Sequence, residues 1–277
     1  MTKNIGASPL GKNNIYKDIY DKSLLFAIER KEKRDELGIN PLKLPFYGYD
    51  LFNAYEISWL NTNNKPLAKM AQIVYNANSK YLVESKSLKL YFNSFNNTNF
   101  TSETEVLDII KNDLQEILST DVDAKLFTLN KEESLKVPYG KCIDDLDIST
   151  HKHTFVNKDI LKLNEKNNPY FTEALYSNIL KSNCLVTGQP DWGSIEINYI
   201  GNPINHSSLL EYIISYRNHN EFHEQCIERI FIDILDILRP TSLTILGRYT
   251  RRGGIDINPF RSTEKNFRIF NSRLIRQ

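Results

Sequence analysis

The chain has 277 residues, 40% hydrophobic and 25% charged, with a formal net charge of +1. That composition allows one large core or two ordinary domains, and it excludes a disordered chain or one drawn to polyanions by overall charge. Three cysteines without a C-x-x-C argue against a disulfide framework and for a reducing compartment. The first residues lack an apolar signal region, and no run approaches the ~18 apolar residues of a membrane span. A soluble cytoplasmic protein with no membrane partner is therefore expected.

Residues 1–50 read as a lead-in segment that packs on the rest, with a short helix from Ile19 to Arg30. Tyr55, Ile57 and Trp59 alternate with polar neighbours and predict a strand over 53–61. A turn from Asn61 to Pro66 leads to a second strand, Leu67 to Tyr75. Leu88, Tyr91, Phe92 and Phe95 recur at helical spacing after a short polar turn. Ser102 with Glu105 has capping-box spacing, and Val106, Ile110, Leu114 and Ile117 mark one face of a helix ending near Leu118. Val122, Ala124 and Leu126 form a further strand. Residues 51–135 are thus assigned to a first domain and 136–170, polar and irregular, to a linker.

The remainder, 171–277, repeats this order. Strands are expected over about 181–187 and 194–200, joined by turn residues Gly188, Pro190 and Gly193. Ser208 with Glu211 repeats the capping-box spacing before a helix reaching Arg217. Asn220 is read as the N-cap of a second helix that runs from Glu221 to Leu238 and stops at Pro240. Ser242 to Tyr249 is a strand, Arg251 to Gly254 a turn, and Ile255 to Ile257 a short strand. Each half reads strand, strand, helix, helix, strand, which fits an α+β fold of antiparallel sheets with helices on one face.

Two places carry possible chemistry. Cys184 is placed mid-strand, and the hairpin after it brings Asp191 back toward its thiol. A thiol with a nearby acid/base group can be a nucleophile with its proton shuttle, although a buried Cys beside a turn-forming Asp reads as plain core. At the helix start, Glu221 and Glu224 suit the helix dipole, while His223 beside Glu224 sets a proton donor next to an acceptor. Cys226 falls on the apolar face and Cys142 before an acidic turn, so both read as structural. His219, His223 and Cys226 match no familiar zinc spacing, and no metal is expected. Residues 248–277 hold eight basic groups against Asp256 and Glu264. They are either a solvated surface or a site for a phosphorylated ligand. Neither a Rossmann nor a P-loop fingerprint occurs. Arg251-Arg252-Gly253-Gly254 remains as a phosphate grip or a basic hairpin tip.

Taken together, four segments resemble the NADPH-dependent 7-cyano-7-deazaguanine reductases, nitrile reductases of queuosine biosynthesis, in their long two-domain form. They are Glu84-Ser85-Lys86-Ser87-Leu88-Lys89-Leu90-Tyr91, Cys184 with Gln189-Pro190-Asp191-Trp192, Asn220-Glu221-Phe222-His223-Glu224, and Tyr249-Thr250-Arg251-Arg252-Gly253-Gly254. The likeness extends to Leu10-Gly11-Lys12 and to Asn258-Pro259-Phe260-Arg261-Ser262. The resemblance implies tandem tunnelling-fold domains, usually in a homodimer, with the site between the halves. It implies Cys184 as nucleophile through a covalent thioimide, Asp191 as proton donor, and His223 as a second proton-transfer group. Val83, Glu84, Ser85, His223 and Glu224 would contact the deazapurine. Ser85, Lys86, Arg252 and Gly253 would bind NADPH, used twice per turnover.

Three rivals stay open at this point. A Cys-dependent nitrile hydrolase built from Cys184, Glu84 and Lys86 would release a carboxylate without NADPH. A zinc-dependent cyclohydrolase-like relative would need ligands that the His223-to-Cys226 spacing supplies poorly. A non-catalytic binding module could hold RNA through the basic end, where Phe260, Phe267 and Phe270 interleave with cations. No direct nucleic-acid contact is expected.

Overall fold

The computed structural model describes residues 16–130, 135–150, 153–164, 168–266 and 271–277. The chain forms two compact units. The first comprises residues 1–41, 49–133 and the excursion Arg251–Asp256, and the second comprises 42–48, 134–250 and 257–277.

In the first unit, β1 (Ala27–Glu29) is followed by α1 (Lys31–Glu36), β2 (Tyr47–Leu60), β3 (Pro66–Asn76), β4 (Tyr81–Val83), α2 (Ser85–Asn93), α3 (Glu103–Leu118) and β5 (Val122–Phe127). β3 pairs antiparallel with β2 on one side and β5 on the other. The expected helix from Ile19 to Arg30 is absent: a 3-10 turn covers Lys22–Leu24, and Ala27 to Glu29 pair antiparallel with β4 instead. Backbone pairing to a waiting edge outweighs weak local helical propensity here. Phe52, Ile73 and Tyr75 from the sheet meet Leu88, Phe92, Ile110 and Leu114 from the helices in a fully buried core. Each such aliphatic side chain contributes about 1.5–3 kcal/mol through burial.

The second unit contains β6 (Lys141–Cys142), β7 (Phe171–Asn183), β8 (Pro190–Gly201), α4 (His206–Ser215), α5 (His223–Leu238), β9 (Ser242–Tyr249) and β10 (Ile255–Ser262), whose first two residues count with the first unit. β7, β8, β9 and β10 pair antiparallel in that order, and β6 joins β7 in parallel. The fold is thus α+β, with mainly antiparallel sheet and helices on one face. Several boundaries differ from the sequence reading. β7 begins ten residues before the predicted Lys181 and ends at Asn183, so Cys184 follows the strand rather than sitting within it. Asn205, not Ser208, caps α4, and α5 starts at His223 behind Phe222, not at Glu221 behind Asn220.

The two units repeat one another in detail. The first long strand of each carries a two-for-one bulge, between Ala54 and Ile57 in β2 and between Ser177 and Leu180 in β7. Ser87 donates to the carbonyl of Glu84 at 2.6 Å, as Ser208 does to Asn205 at 2.8 Å. Tyr91 of α2 donates to Asp113 of α3 at 2.7 Å, and Tyr212 of α4 donates to Asp233 of α5 at 2.6 Å. The second helix of each unit closes on a left-handed residue, Ser119 or Arg239.

Four arginines of the basic C-terminal stretch are engaged within the second unit. Arg248 is paired with Glu196 and Arg261 with Glu228, both inside the fold. Arg273 binds the Gln277 carbonyl, and Arg276 binds the carbonyls of Asn178 and Gly193. Phe260 is buried, and so offers no platform for a base. Leu10-Gly11-Lys12, His151, Phe267, Arg268 and Phe270 lie outside the described residues.

Candidate active site

In the second unit, β7 and β8 set the frame. Cys184 N–H donates to the Gln189 carbonyl at 2.8 Å, and Gly188 N–H donates to the Cys184 carbonyl at 3.0 Å. Gly188 adopts φ of 64°, a left-handed conformation that glycine takes without strain. The loop therefore folds back at once into β8. Ser182 lies opposite Asp191. Cys184 stands just past the end of β7, two residues beyond Ser182. Cys184 is 8% exposed and Asp191 is buried.

A second segment is laid beside this hairpin. Asn183 N–H donates to the His219 carbonyl at 2.8 Å, and Glu221 N–H donates to the Asn183 carbonyl at 3.1 Å. The carboxylate of Glu221 is fully buried and takes a two-pronged contact from Arg229, at 2.8 and 3.1 Å, with His219 Nε2 at 3.0 Å. Burial opposes its charge, but the hydrogen bonds from His219 and Arg229 prevail and hold the carboxyl below its ordinary range. Glu221 is therefore a bracket for the strand end rather than a first-turn acid of α5. Gln225 accepts the Phe222 N–H at 3.4 Å, which fixes the helix start.

That start delivers His223 and Glu224. His223 Nε2 lies 3.5 Å from Asp191 Oδ2 and, among the described residues, has no hydrogen-bond partner, although the atom is buried. Glu224 is buried in the same turn. The structure thus gathers Cys184, Asp191, His223 and Glu224 at one end of the second unit. Lys181 stands close by, donating to Asn183 and to the Arg217 carbonyl. Burial and Arg217 push its ammonium down, against a pull from Asp191. Lys181 and Tyr249 received no site role from the sequence, where each was read only as a residue at the end of a predicted strand.

In the first unit, β1 holds the end of β4, and Glu84 N–H donates to the Phe26 carbonyl at 2.9 Å. Glu84 then caps α2, one oxygen accepting Lys86 N–H and the other Ser87 N–H, both at 2.8 Å. It is 1% exposed. Val83, Glu84, Ser85 and Lys86 are consecutive at this strand-to-helix junction.

The Arg251–Asp256 excursion belongs to the same unit. Arg252 and Ile255 exchange backbone hydrogen bonds around Gly253 and Gly254, whose φ values are 58° and 77°. Two left-handed residues are what a type I′ turn requires. A Cβ on Gly253 would rest 3.5 Å from Lys89 Cγ, and one on Gly254 would stand 2.5 Å from Glu56 Cδ. Lys89, in turn, is ion-paired with Glu56. The glycine tip is therefore seated on α2, one turn beyond Lys86. The guanidinium of Arg251 lies over the Tyr55 ring at 4.3 Å, and Arg252 is exposed. Ser85 and Lys86 open α2, and the tip that carries Arg252 and Gly253 rests on Lys89 further along the same helix; forked cations and a glycine turn are parts that suit phosphate groups.

Among the described residues, no group of three or more His, Cys, Asp or Glu could hold a metal ion. No described helix is long and apolar enough to cross a membrane.

Comparison with known proteins places this geometry. Residues 16–126 match the family model "Nitrile reductase, 7-cyano-7-deazaguanine-reductase N-term", and 190–267 match "QueF-like protein". The chain is 49% identical over 274 residues to the NADPH-dependent 7-cyano-7-deazaguanine reductase of Legionella pneumophila (strain Lens), covering 98% of this chain and 95% of that protein. It is 47% identical over 279 residues to the protein of the same name from Hydrogenovibrio crunogenus, covering 100% and 99%. The Rickettsia canadensis protein of that name is 48% identical over 274 residues, covering 99% of each chain.

Proposed function

The chain belongs to the NADPH-dependent 7-cyano-7-deazaguanine reductases, and from that premise we propose that Cys184 carries the nitrile through a covalent thioimide. The enzyme reduces the nitrile of 7-cyano-7-deazaguanine to the aminomethyl group of 7-aminomethyl-7-deazaguanine, at the expense of NADPH, in queuosine biosynthesis. The observation that carries the residue-level reading is the meeting of Cys184, Asp191 and His223 at one end of the second unit.

A nitrile carbon is a weak electrophile. When the Cys184 sulfur adds to it, a C–S bond forms and the triple bond becomes C=N, a centre that accepts hydride more readily. An ordinary thiol has a pKa of about 8.5, so the addition needs a base near neutrality. Asp191, at the start of β8, takes the thiol proton and gives one to the nitrile nitrogen. Departure of the thiol after the first reduction leaves an imine, and His223 supplies a proton as the imine becomes the amine. Glu84 and Glu224 accept N–H groups of the deazapurine, and a base lacking those donors forgoes these charged hydrogen bonds. Val83 and Ser85 complete the contact.

NADPH, when bound, supplies one hydride per molecule, two per turnover. The chemistry of this part of the first unit fits such a ligand: the cations Lys86 and Arg252, and a glycine tip over which a phosphate can approach. Ser85, Lys86, Arg252 and Gly253 would hold it. We read the two units as tandem tunnelling-fold domains, the protein as a cytoplasmic homodimer, and its partner as the free base rather than tRNA.

The test is the intact mass of the protein mixed with 7-cyano-7-deazaguanine, without and then with NADPH. An adduct of the whole nitrile that maps to Cys184 and clears with NADPH to the aminomethyl product supports the thioimide. Absence of any adduct on the folded protein, or clearance to a carboxylate without NADPH, overturns it.

A further inference from the structure

We propose that Tyr249 is a positioning residue for His223, a role that rests on the assignment of His223 to proton transfer. Three observations in the second unit lead there. The main chain around His223 is fixed by the Glu221–Arg229 bracket and by Gln225, but those contacts do not fix the imidazole. Its buried Nε2 stands 3.5 Å from the Asp191 carboxylate, an ion-pair distance, without a hydrogen bond among the described residues. What does lie against the ring is Tyr249, with centroids 4.0 Å apart and planes inclined at 46°.

The sheet is shaped to hold Tyr249 in that place. Gly193 is its cross-strand partner on β8, and a Cβ there would lie 3.1 Å from Tyr249 Cδ1. Gly247, two residues earlier on the same face of β9, would put a Cβ 3.2 Å from Tyr249 Cε2 and 2.7 Å from Ile227 Cδ1 of α5. The two glycines leave a slot between sheet and helix that the phenol ring fills. Neither has a positive φ, so it is space rather than backbone conformation that a side chain would disturb.

The hydroxyl of Tyr249 is not what secures the ring. It is fully buried beside the Cys226 thiol, a weak partner, and makes no ordinary hydrogen bond among the described residues. A phenylalanine would fill the same slot. The aromatic face is therefore the part of Tyr249 that acts on His223, keeping Nε2 turned toward Asp191.

The experiment measures kcat and KM of the full-length protein with 7-cyano-7-deazaguanine and NADPH, across pH, for Tyr249→Leu, Tyr249→Phe, Gly193→Ala, His223→Ala and the double variant Tyr249→Leu/His223→Ala. Tyr249→Leu should lower kcat by about 10- to 100-fold, with KM changed by less than about threefold, because misplacing a reacting group by an ångström costs on that order. It should also move the pH limb that His223→Ala abolishes. Tyr249→Phe should restore kcat to within about threefold and return the limb to its place. Gly193→Ala, which pushes the ring without removing it, should lose part of the rate; it serves if the leucine variant does not fold. Because Tyr249 acts through His223, the double variant should be no slower than His223→Ala alone. Equal loss in the phenylalanine variant, an unchanged kcat in the leucine variant, or additive losses in the double variant would overturn the proposal while leaving His223 in its role. A His223→Ala enzyme with full kcat would remove both.

Discussion

Glu84 and Asn205 hold the same station in the two units, each accepting the backbone N–H of the serine three residues on, at 2.8 Å from Ser87 and 2.9 Å from Ser208. The neutral amide of Asn205 caps α4, so the charge of Glu84 is not needed to cap α2. Its carboxylate is then available for a second task, the recognition of substrate N–H groups.

Glu84→Gln is expected to separate the two tasks. One capping acceptor remains, so stability should fall by no more than about 1 kcal/mol. The KM for 7-cyano-7-deazaguanine should rise at least about tenfold through loss of a charged hydrogen bond. Thermal melts and steady-state kinetics on one preparation check both.

Cys184→Ala should abolish the adduct yet melt within about 1 kcal/mol of the parent, since the thiol lies at a loop edge rather than deep in the core. Cys226 should not substitute for it. Burial raises that thiol well above its ordinary value. Native alkylation followed by peptide mapping should therefore label Cys184 ahead of Cys226, which reacts only on unfolding.

Arg229→Met leaves the Glu221 carboxylate buried without its cation. A loss of about 3–5 kcal/mol is expected, with a parallel fall in kcat as the bracket on Asn183 and Phe222 loosens. The pH dependence has a definite sign. Glu221 titrates below its ordinary 4.5 in the folded state, so its stabilising contribution is present above that pH and is lost as pH falls through the folded value. Asp233, raised above its ordinary 3.8 by burial, has the opposite sign. Urea titrations of wild type and Glu221→Gln across acid pH isolate the first effect as a difference that shrinks as the solution is acidified.

Gly254→Ala should be more harmful than Gly253→Ala. Both force a left-handed alanine, at a cost of about 1–2 kcal/mol. Only the Gly254 substitution also drives a methyl group into Glu56, at 2.5 Å. The check is NADPH affinity and melting temperature for the pair, with the larger loss in both for Gly254→Ala.

Lys86→Ala and Arg252→Ala should each raise the KM for NADPH by about 10- to 100-fold, the worth of a charged hydrogen bond. As groups that answer the extra phosphate, they should leave the KM for NADH little changed, and added salt should blunt the difference.

Much of the fold was legible because periodicity survives in single elements. The strands at 66–76, 122–127 and 242–249 and the helices at 85–93 and 103–118 fall close to where the apolar spacing put them. What failed did so for identifiable reasons. Glu221 looked like a dipole-complementing acid because nothing local shows that Arg229, inside α5, reaches back past the helix start to it. The start of β7 was hidden in a polar stretch whose pairing partner lies thirty residues on. The arginines at 248, 261, 273 and 276 counted as surface charge because a sum along the sequence cannot see that their partners lie inside. The four reactive segments were legible as a resemblance, and their placement within each unit rests on bulges, caps and brackets that no motif records.

The excursion Arg251–Asp256 has a consequence for how such a protein can change over generations. The backbone passes from one unit to the other at 41/42, 48/49, 133/134, 250/251 and 256/257. No single breakpoint in the gene separates the two bodies, and a truncation near residue 250 deprives the first unit of the turn seated on α2. Recombination cannot trade one body while sparing its companion. Whatever origin the repeat had, the two halves are now inherited as one.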